Sequence, residues 1–238
     1  MKWIALLAVT ALLAAAFLAC DRWRAGVHFM QSRMAAKKTV ADRVEEYGAL
    51  VAARLSPRFA RAGLGYPPRA ITLLALKSER RLDLYAHPAD GPPVLVCSYP
   101  ILAASGELGP KLREGDRQVP EGIYAVELLN PNSLYHLSIR LNYPNAFDRR
   151  MARADGREQL GGDIMIHGSN VSIGCLAMGD QAAEDLFVLA ALVGIEKVRV
   201  IVAPVDLRMQ ELPALSPGSP AWLPQLYEQI KEGLRALN

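Results

Sequence analysis

Between Ala70 and Val202 the chain is a succession of short apolar runs cut by turn-forming residues, and this punctuation limits the fold more than any other feature. Ile71 to Lys77 is one run, and Leu82, Leu84 and Ala86 then alternate with Arg81, Asp83 and Tyr85. Pro93 to Tyr99 reads as a buried strand. Gly122 to Leu129 and Ser133 to Leu141 follow, with Asn130-Pro131-Asn132 as the turn between them. Ile164 to Ile166 ends in His167, and Val198 to Val202 is a late strand. Runs this short are too brief for helices and too regularly interrupted for a helical bundle. They predict a mainly antiparallel β core within an α+β, mainly β fold.

Helical periodicity flanks that core. Val40, Val44, Tyr47, Val51 and Leu55 recur at three- and four-residue spacing, an amphipathic helix from Lys37 to about Leu55. Pro57, Gly63, Gly65, Pro67 and Pro68 then read as its end and a linker. Asp180 is placed to cap a helix through Ala182 to Leu192, stopped by Gly194. Trp222, Leu226, Ile230 and Leu234 mark a C-terminal helix.

At the front, Lys2 precedes Trp3 to Ala19, an apolar run whose only polar residue is Thr10, and Cys20, Asp21, Arg22 and Arg24 end it. This reads as an export signal or a membrane anchor; a lipid on Cys20 is the alternative offered by Phe17-Leu18-Ala19-Cys20. The expected plan is therefore residues 1–20 as signal or anchor, 21–69 as a helical segment and linker, 70–206 as the chemical domain, and 207–238 as linker and helix. Any membrane contact is expected only through residues 3–19 or that lipid. The 238 residues, 51% hydrophobic and 21% charged, suffice for one good-sized core. A net charge of +3 is too small to argue for nucleic acid as a partner, and three cysteines cannot form a disulfide scaffold.

Chemistry concentrates in Gly161-Gly162-Asp163-Ile164-Met165-Ile166-His167-Gly168-Ser169-Asn170-Val171-Ser172-Ile173-Gly174-Cys175. A strand delivers a histidine, Gly168 lets the chain turn, and eight residues on a cysteine follows a glycine. A thiol is a poor nucleophile until ionised, and a neighbouring imidazole can take its proton. The N–H groups of Gly174 and Cys175 are candidate donors to a developing oxyanion. These are the parts of an acyl-transfer site. The alternative is a small buried cysteine and a histidine bonded to backbone. Cys97, in an apolar run with no ligand-type neighbours, reads as core, and no metal site is visible.

Taken together, the blocks from Ile71 to Val205 resemble the L,D-transpeptidase catalytic domain of the YkuD type, and within it the YafK-like branch of murein enzymes. The resemblance rests on Arg81-Leu82-Asp83-Leu84-Tyr85, on Gly109-Pro110-Lys111 with Gly115-Asp116, and on Val119-Pro120-Glu121-Gly122-Ile123-Tyr124. Tyr143-Pro144-Asn145-Ala146-Phe147-Asp148-Arg149, Ile166-His167-Gly168 and Ser172-Ile173-Gly174-Cys175 complete it, in the family's order. It implies a YkuD-type β-sandwich core with flanking helices, Cys175 as nucleophile, His167 as general base, and the Gly168 carbonyl orienting the imidazole. Ser172, Ser169 and Gly174 would shape the loop that receives the oxyanion, Tyr143, Asn145 and Arg149 would lie along the substrate cleft, and Pro120-Glu121-Gly122 would be scaffold. No cofactor is implied. The implied partners are peptidoglycan stem peptides or a protein linked to the wall, and the implied place is the periplasm or cell envelope. Two positions depart from the commoner pattern: Ile173 stands where many members carry a second histidine, and Ala177 where many carry an arginine. The His-to-Cys loop is also short. All three fit the YafK-like branch, which points toward cleavage. Formation of cross-links or protein-to-wall links is the alternative activity. A non-catalytic wall-binding module, with Cys175 buried or joined to Cys97, is the alternative of a different class. A papain-like protease is disfavoured because its cysteine precedes its histidine.

Overall fold

A computed structural model of the chain describes residues 37–211 and 218–237. The expected signal or anchor, residues 1–20, lies outside the described residues. Among those described, no helix is long and apolar enough to cross a membrane.

Helix α1 (Val40–Arg61) opens with a capping box, in which Thr39 Oγ1 accepts from Asp42 N while the Asp42 carboxylate accepts from Thr39 N. It runs six residues beyond the predicted end and through Pro57. The ring removes one helical hydrogen bond, a cost outweighed here because Leu55 and Phe59, on either side of it, are fully buried and hold the helix to the core. The stop comes instead at Gly63, whose positive φ no other residue adopts cheaply.

Strands β1 (Ala70–Leu76), β2 (Arg81–His87), β3 (Val94–Pro100), β4 (Ala103–Ala104), β5 (Gly122–Ser133), β6 (His136–Leu141), β7 (Met165–His167), β8 (Leu176–Ala177) and β9 (Val198–Ala203) form one sheet in the order β3-β2-β1-β9-β5-β6-β7-β8-β4. Pairing is antiparallel except for β1 with β9 and β7 with β8. The twelve-residue β5 joins the two halves: Gly122 to Ala125 pair with β9, and Val126 to Ser133 pair with β6. That shared strand gives the strand-rich, curled core expected of the fold class. Helices α2 (Ala146–Ala154), α3 (Asp180–Val193) and α4 (Leu223–Arg235) flank it. One apolar cluster packs α1 and α3 against both halves of the sheet, through Leu55, Phe59, Leu73, Leu84, Ile139, Ile166, Leu176 and Phe187. A second packs α2 and α4 on the other face, against Leu74, Leu76, Ile201 and Ala203. Residues on both faces of β1 and β2 are therefore buried, Asp83 among them, its charge met by Arg81 at 2.9 Å and by Ser98.

Three sequence expectations need correction, and one helix went unread. Asn130-Pro131-Asn132 is not the hairpin turn; β5 continues to Ser133, and the turn falls at Leu134-Tyr135. The ladder changes register between Asn130 and Ser133, so Pro131 stands where no ladder donor is needed, and the Asn130 side chain accepts from Asn132 N. Strand β3 is an edge strand and half-exposed, with Leu95 at 47%. Asp180 is the first helical residue of α3, not its cap; Gly179 holds that position without a side-chain bond. Finally, the segment after Tyr143 contains α2, a helix that its polar sequence hides.

Candidate active site

Strands β7 and β8 are very short, and this makes the site. Parallel neighbours ordinarily need a long crossover, but here the chain must climb back only a residue or two, so the loop 168–175 suffices. The register pairs Ile166 with Leu176 and His167 with Ala177; one step further it sets Cys175 beside Met165. Ile166 and Leu176 face the apolar cluster. By alternation, His167, Met165 and Cys175 share the opposite face, with the Cα atoms of His167 and Cys175 roughly 8 Å apart on the diagonal, within reach of two side chains.

His167 is buried, and its Nδ1 lies 2.6 Å from the Gly168 carbonyl oxygen. An oxygen with no proton to give fixes the tautomer: Nδ1 carries the hydrogen, and Nε2 of the neutral ring keeps its lone pair. The Tyr135 ring lies over the imidazole, centroids 4.8 Å apart and 30° between planes. Gly168 is required by space. A Cβ there would meet Asp180 Oδ1 at 2.5 Å, the Tyr135 carbonyl at 2.8 Å and His136 Cβ at 2.9 Å. Close approach, rather than the sharp turn expected from sequence, explains this glycine. Asp180 explains the approach: its Oδ1 accepts from Ser169 N at 2.8 Å, tying the loop after the histidine to the first turn of α3.

Cys175 is a free, half-buried thiol that donates to the Asp163 carbonyl at 3.6 Å. Ser172 clamps its backbone twice, accepting from Cys175 N at 3.1 Å and donating to Cys175 O at 2.6 Å. Gly174, at φ +110°, donates its N–H to Ser105 Oγ at 2.6 Å. Both backbone donors foreseen for an oxyanion thus already hold hydroxyl oxygens in the resting site. Burial pushes the Cys175 thiol above its ordinary 9.0, and the Asp163 charge adds to this, while the Met165 backbone and the Lys111 charge oppose it. Burial also pulls the His167 imidazole below 6.5, against the Gly168 carbonyl. The resting pair is therefore neutral thiol and neutral imidazole.

Ser105 and Tyr135 were not found from sequence. Ser105 lies 69 residues upstream of its partner Gly174 with no motif around it. Tyr135 was hidden by the misplaced turn. The segment that brings Ser105 is held by Lys77, whose buried Nζ donates to the carbonyls of Glu107, Gly109 and Val119 and pairs with the fully buried Glu121 at 2.9 Å. Glu121 therefore serves as scaffold. Of the expected cleft residues, Tyr143 is buried, its hydroxyl donating toward the carbonyls of Lys111 and Leu160 at 3.3 Å. Asn145 caps α2, accepting from Asp148 N at 2.9 Å while its Nδ2 donates to Ile123 O. Arg149 is exposed and lines a groove of about 830 Å³ whose wall includes Gly161 to Asp163. Cys97 sits on β3, with six strands between it and β8 in the sheet order, so it is no partner for Cys175.

A curled sheet of this order thus carries a cysteine and a histidine on neighbouring strand ends. The family model of the L,D-transpeptidase catalytic domain (YkuD) matches residues 73–202. The chain belongs to that family. It is 45% identical over 133 residues to "Putative L,D-transpeptidase YafK" of Escherichia coli K12 and equally to its counterpart in strain O157:H7, covering 54% of this chain. It spans about half the length of these curated relatives, 51%. Among solved structures, the helical cell shape determining protein Pgp2 of Campylobacter jejuni is 20% identical with a TM-score of 0.46, over 71% of this chain and 70% of that one. L,D-transpeptidase 1 of Mycobacterium tuberculosis is 16% identical with a TM-score of 0.33, over 56% of this chain and 62% of that one.

Proposed function

We propose that the protein is an envelope enzyme that breaks an amide bond at a diamino-acid residue of a murein stem peptide, releasing a peptide or a protein attached to the wall. What supports this reading is the β7–β8 register, which by alternation would turn Cys175 toward the face of His167, together with the Gly168 carbonyl at Nδ1 of the imidazole. His167 Nε2 takes the thiol proton as Cys175 Sγ bonds to the amide carbon; the C–N bond then breaks and the leaving amine takes that proton from the imidazolium. Water, deprotonated by His167, resolves the thioester to a carboxylate and restores the thiol. The oxyanion is received by the Cys175 N–H, released from Ser172 or shared with it. Because the starting thiol and imidazole are neutral, proton transfer accompanies attack rather than preceding it.

Cleavage is preferred to joining only on the resemblance of Ile173, Ala177 and the short loop to the YafK-like branch. The test is incubation of the purified protein with intact sacculi, followed by mass spectrometry of the soluble and insoluble fractions. Liberated peptides or proteins are expected with the wild type and none with Cys175→Ala. New amide cross-links would assign the protein to synthesis, and unaltered sacculi would reject the wall-cleaving reading.

A further inference from the structure

Cys175 has a second strand neighbour that the reaction above does not use. Strand β4 pairs antiparallel with β8, Ala103 with Ala177 and Ala104 with Leu176, and the next step sets the half-buried Ser105 across from Cys175. Opposite residues of an antiparallel pair turn their side chains to one face, so Ser105 flanks the thiol on the side away from Met165.

Two serine hydroxyls surround the Cys175 backbone, and their protons have different fates. Ser172 gives its single proton to Cys175 O at 2.6 Å, while its oxygen accepts from Cys175 N at 3.1 Å. Ser105 Oγ accepts from Gly174 N at 2.6 Å. The two serine oxygens stand 3.4 Å apart, and because the Ser172 proton is spent, Ser105 is the donor across this long contact. Among the described residues Ser105 Oγ has no other acceptor. Its proton is the loosely held one. The Gly174 N–H, bonded to the same oxygen, polarises that hydroxyl and makes it a stronger donor.

Ser105 is also fixed in advance. Its carbonyl accepts from Val119 N at 3.3 Å, and Val119 O accepts from the buried Lys77 Nζ at 3.1 Å. Gly106 lies so close to its neighbour that a Cβ there would come within 2.9 Å of Gln118 Cα. Gln118 brackets the turn that follows, accepting from Glu107 N at 2.9 Å and donating to Gly109 O at 2.7 Å. A donor held in such a frame needs no reorganisation when charge develops beside it.

We propose that Ser105 is a catalytic residue whose hydroxyl donates to the oxyanion formed at the substrate carbonyl. As Cys175 Sγ bonds to the carbonyl carbon, the C=O electron pair moves onto oxygen and the thiol proton passes to His167 Nε2. Ser105 keeps its proton and turns it from Ser172 to the new anion, exchanging a long neutral contact for a charge-assisted one. Collapse re-forms C=O and expels the leaving group, and the hydroxyl turns back. The Gly174 N–H, foreseen as a direct donor, acts through Ser105 instead, and the Cys175 N–H is the other donor. This assignment rests on acyl transfer at Cys175 in the proposed function, whichever wall bond is cut.

The experiment compares two reactions of Cys175 in the full chain. Acylation by p-nitrophenyl acetate passes through an oxyanion and is followed by its nitrophenolate burst. Alkylation by iodoacetamide displaces iodide from a saturated carbon and forms no oxyanion. Both consume the same thiol. Ser105→Ala should slow acylation by about 10²-fold, the scale of one lost oxyanion donor, and leave alkylation unchanged. Ser105→Thr keeps a hydroxyl and should acylate close to the wild-type rate, with melting temperatures showing that both variants fold. Equal acylation of wild type and Ser105→Ala, parallel losses in both reactions, or a threonine variant as slow as alanine would overturn the assignment. So would a wild type that shows no burst. Sacculi report separately: hydroxyl-dependent acylation with inert sacculi keeps the donor and rejects the wall-cleaving reading, whereas cleaved sacculi with acylation indifferent to Ser105→Ala do the opposite.

Discussion

His167 Nδ1 has one partner, and that partner decides which nitrogen can accept a proton. With the Gly168 carbonyl fixed at 2.6 Å, a neutral ring presents Nε2 as base, and burial keeps the ring neutral further into acid than an unperturbed imidazole at 6.5. The proposed mechanism needs this neutral ring, so lowering its pKa moves the acid limb of kcat/KM below 6.5. Turnover measured from pH 5 to 10 should hold steady down to that point and fall only beneath it; an acid limb at or above 6.5 would contradict the neutral pair. His167→Ala should lower turnover by roughly 10²- to 10⁴-fold at neutral pH. In that variant the remaining rate should climb about tenfold per pH unit until the Cys175 thiol, pushed above 9.0, ionises unaided. A flat profile in the variant would remove the base from His167. Cys175, His167 and Gly168 were legible in sequence because a strand, a turn and a second strand end carry them within nine residues. The reason for Gly168 was not, because the atoms that crowd it belong to Tyr135, His136 and Asp180.

Among elements, α2 shows how a helix can be present and unread. Its stretch is short and strongly polar, so periodicity is weak, and the Asn145-to-Asp148 capping box was the sequence signal available. Asn145 and Tyr143, which the resemblance suggested for the substrate, are both engaged by backbone groups of the fold. The helix also holds a buried titrating group. Burial raises the Asp148 carboxyl to about 6 from 3.8, against hydrogen bonds from Asn145 and Tyr124 and the charges of Arg149 and Arg157. The folded state therefore binds this proton more tightly than the unfolded one. The stabilisation is complete below pH 4 and is lost as pH rises through 6, up to roughly 3 kcal/mol for a shift of about two units. Asp148→Asn keeps an acceptor for Asn145 N and removes the titration. Urea unfolding of both proteins from pH 4 to 7.5 should show the wild type losing stability relative to the variant by about that amount. Parallel stability curves would mean that Asp148 ionises normally. The same reasoning explains β5: composition marked Asn130-Pro131-Asn132 as a turn, but a register change in the ladder accommodates a proline as well as a turn does.

At the scale of the molecule, the sequence disclosed the class and concealed the assembly. Alternation and turn residues revealed most strands, and helical stripes revealed α1, α3 and α4. The order β3-β2-β1-β9-β5-β6-β7-β8-β4 was not readable, since β1 lies beside β9 across more than a hundred residues of chain. That α1 packs into the same core as the sheet, with Val51, Leu55 and Phe59 fully buried, likewise depends on contacts far apart in the chain. For the same reason Ser105, delivered by the Lys77–Glu121 pair, escaped notice, while Cys175 and His167, on adjacent strand ends, did not. The proposed function places one reaction at one sulfur in this organisation. The direct measurement is intact-protein mass spectrometry after rapid mixing with a murein tetrapeptide and acid quenching, followed by peptide mapping. An adduct of the acyl fragment's mass, confined to the peptide containing Cys175 and absent from Cys175→Ala, is the predicted result. Release of product by Cys175→Ala, or an acyl group mapped to any other residue, would contradict the account.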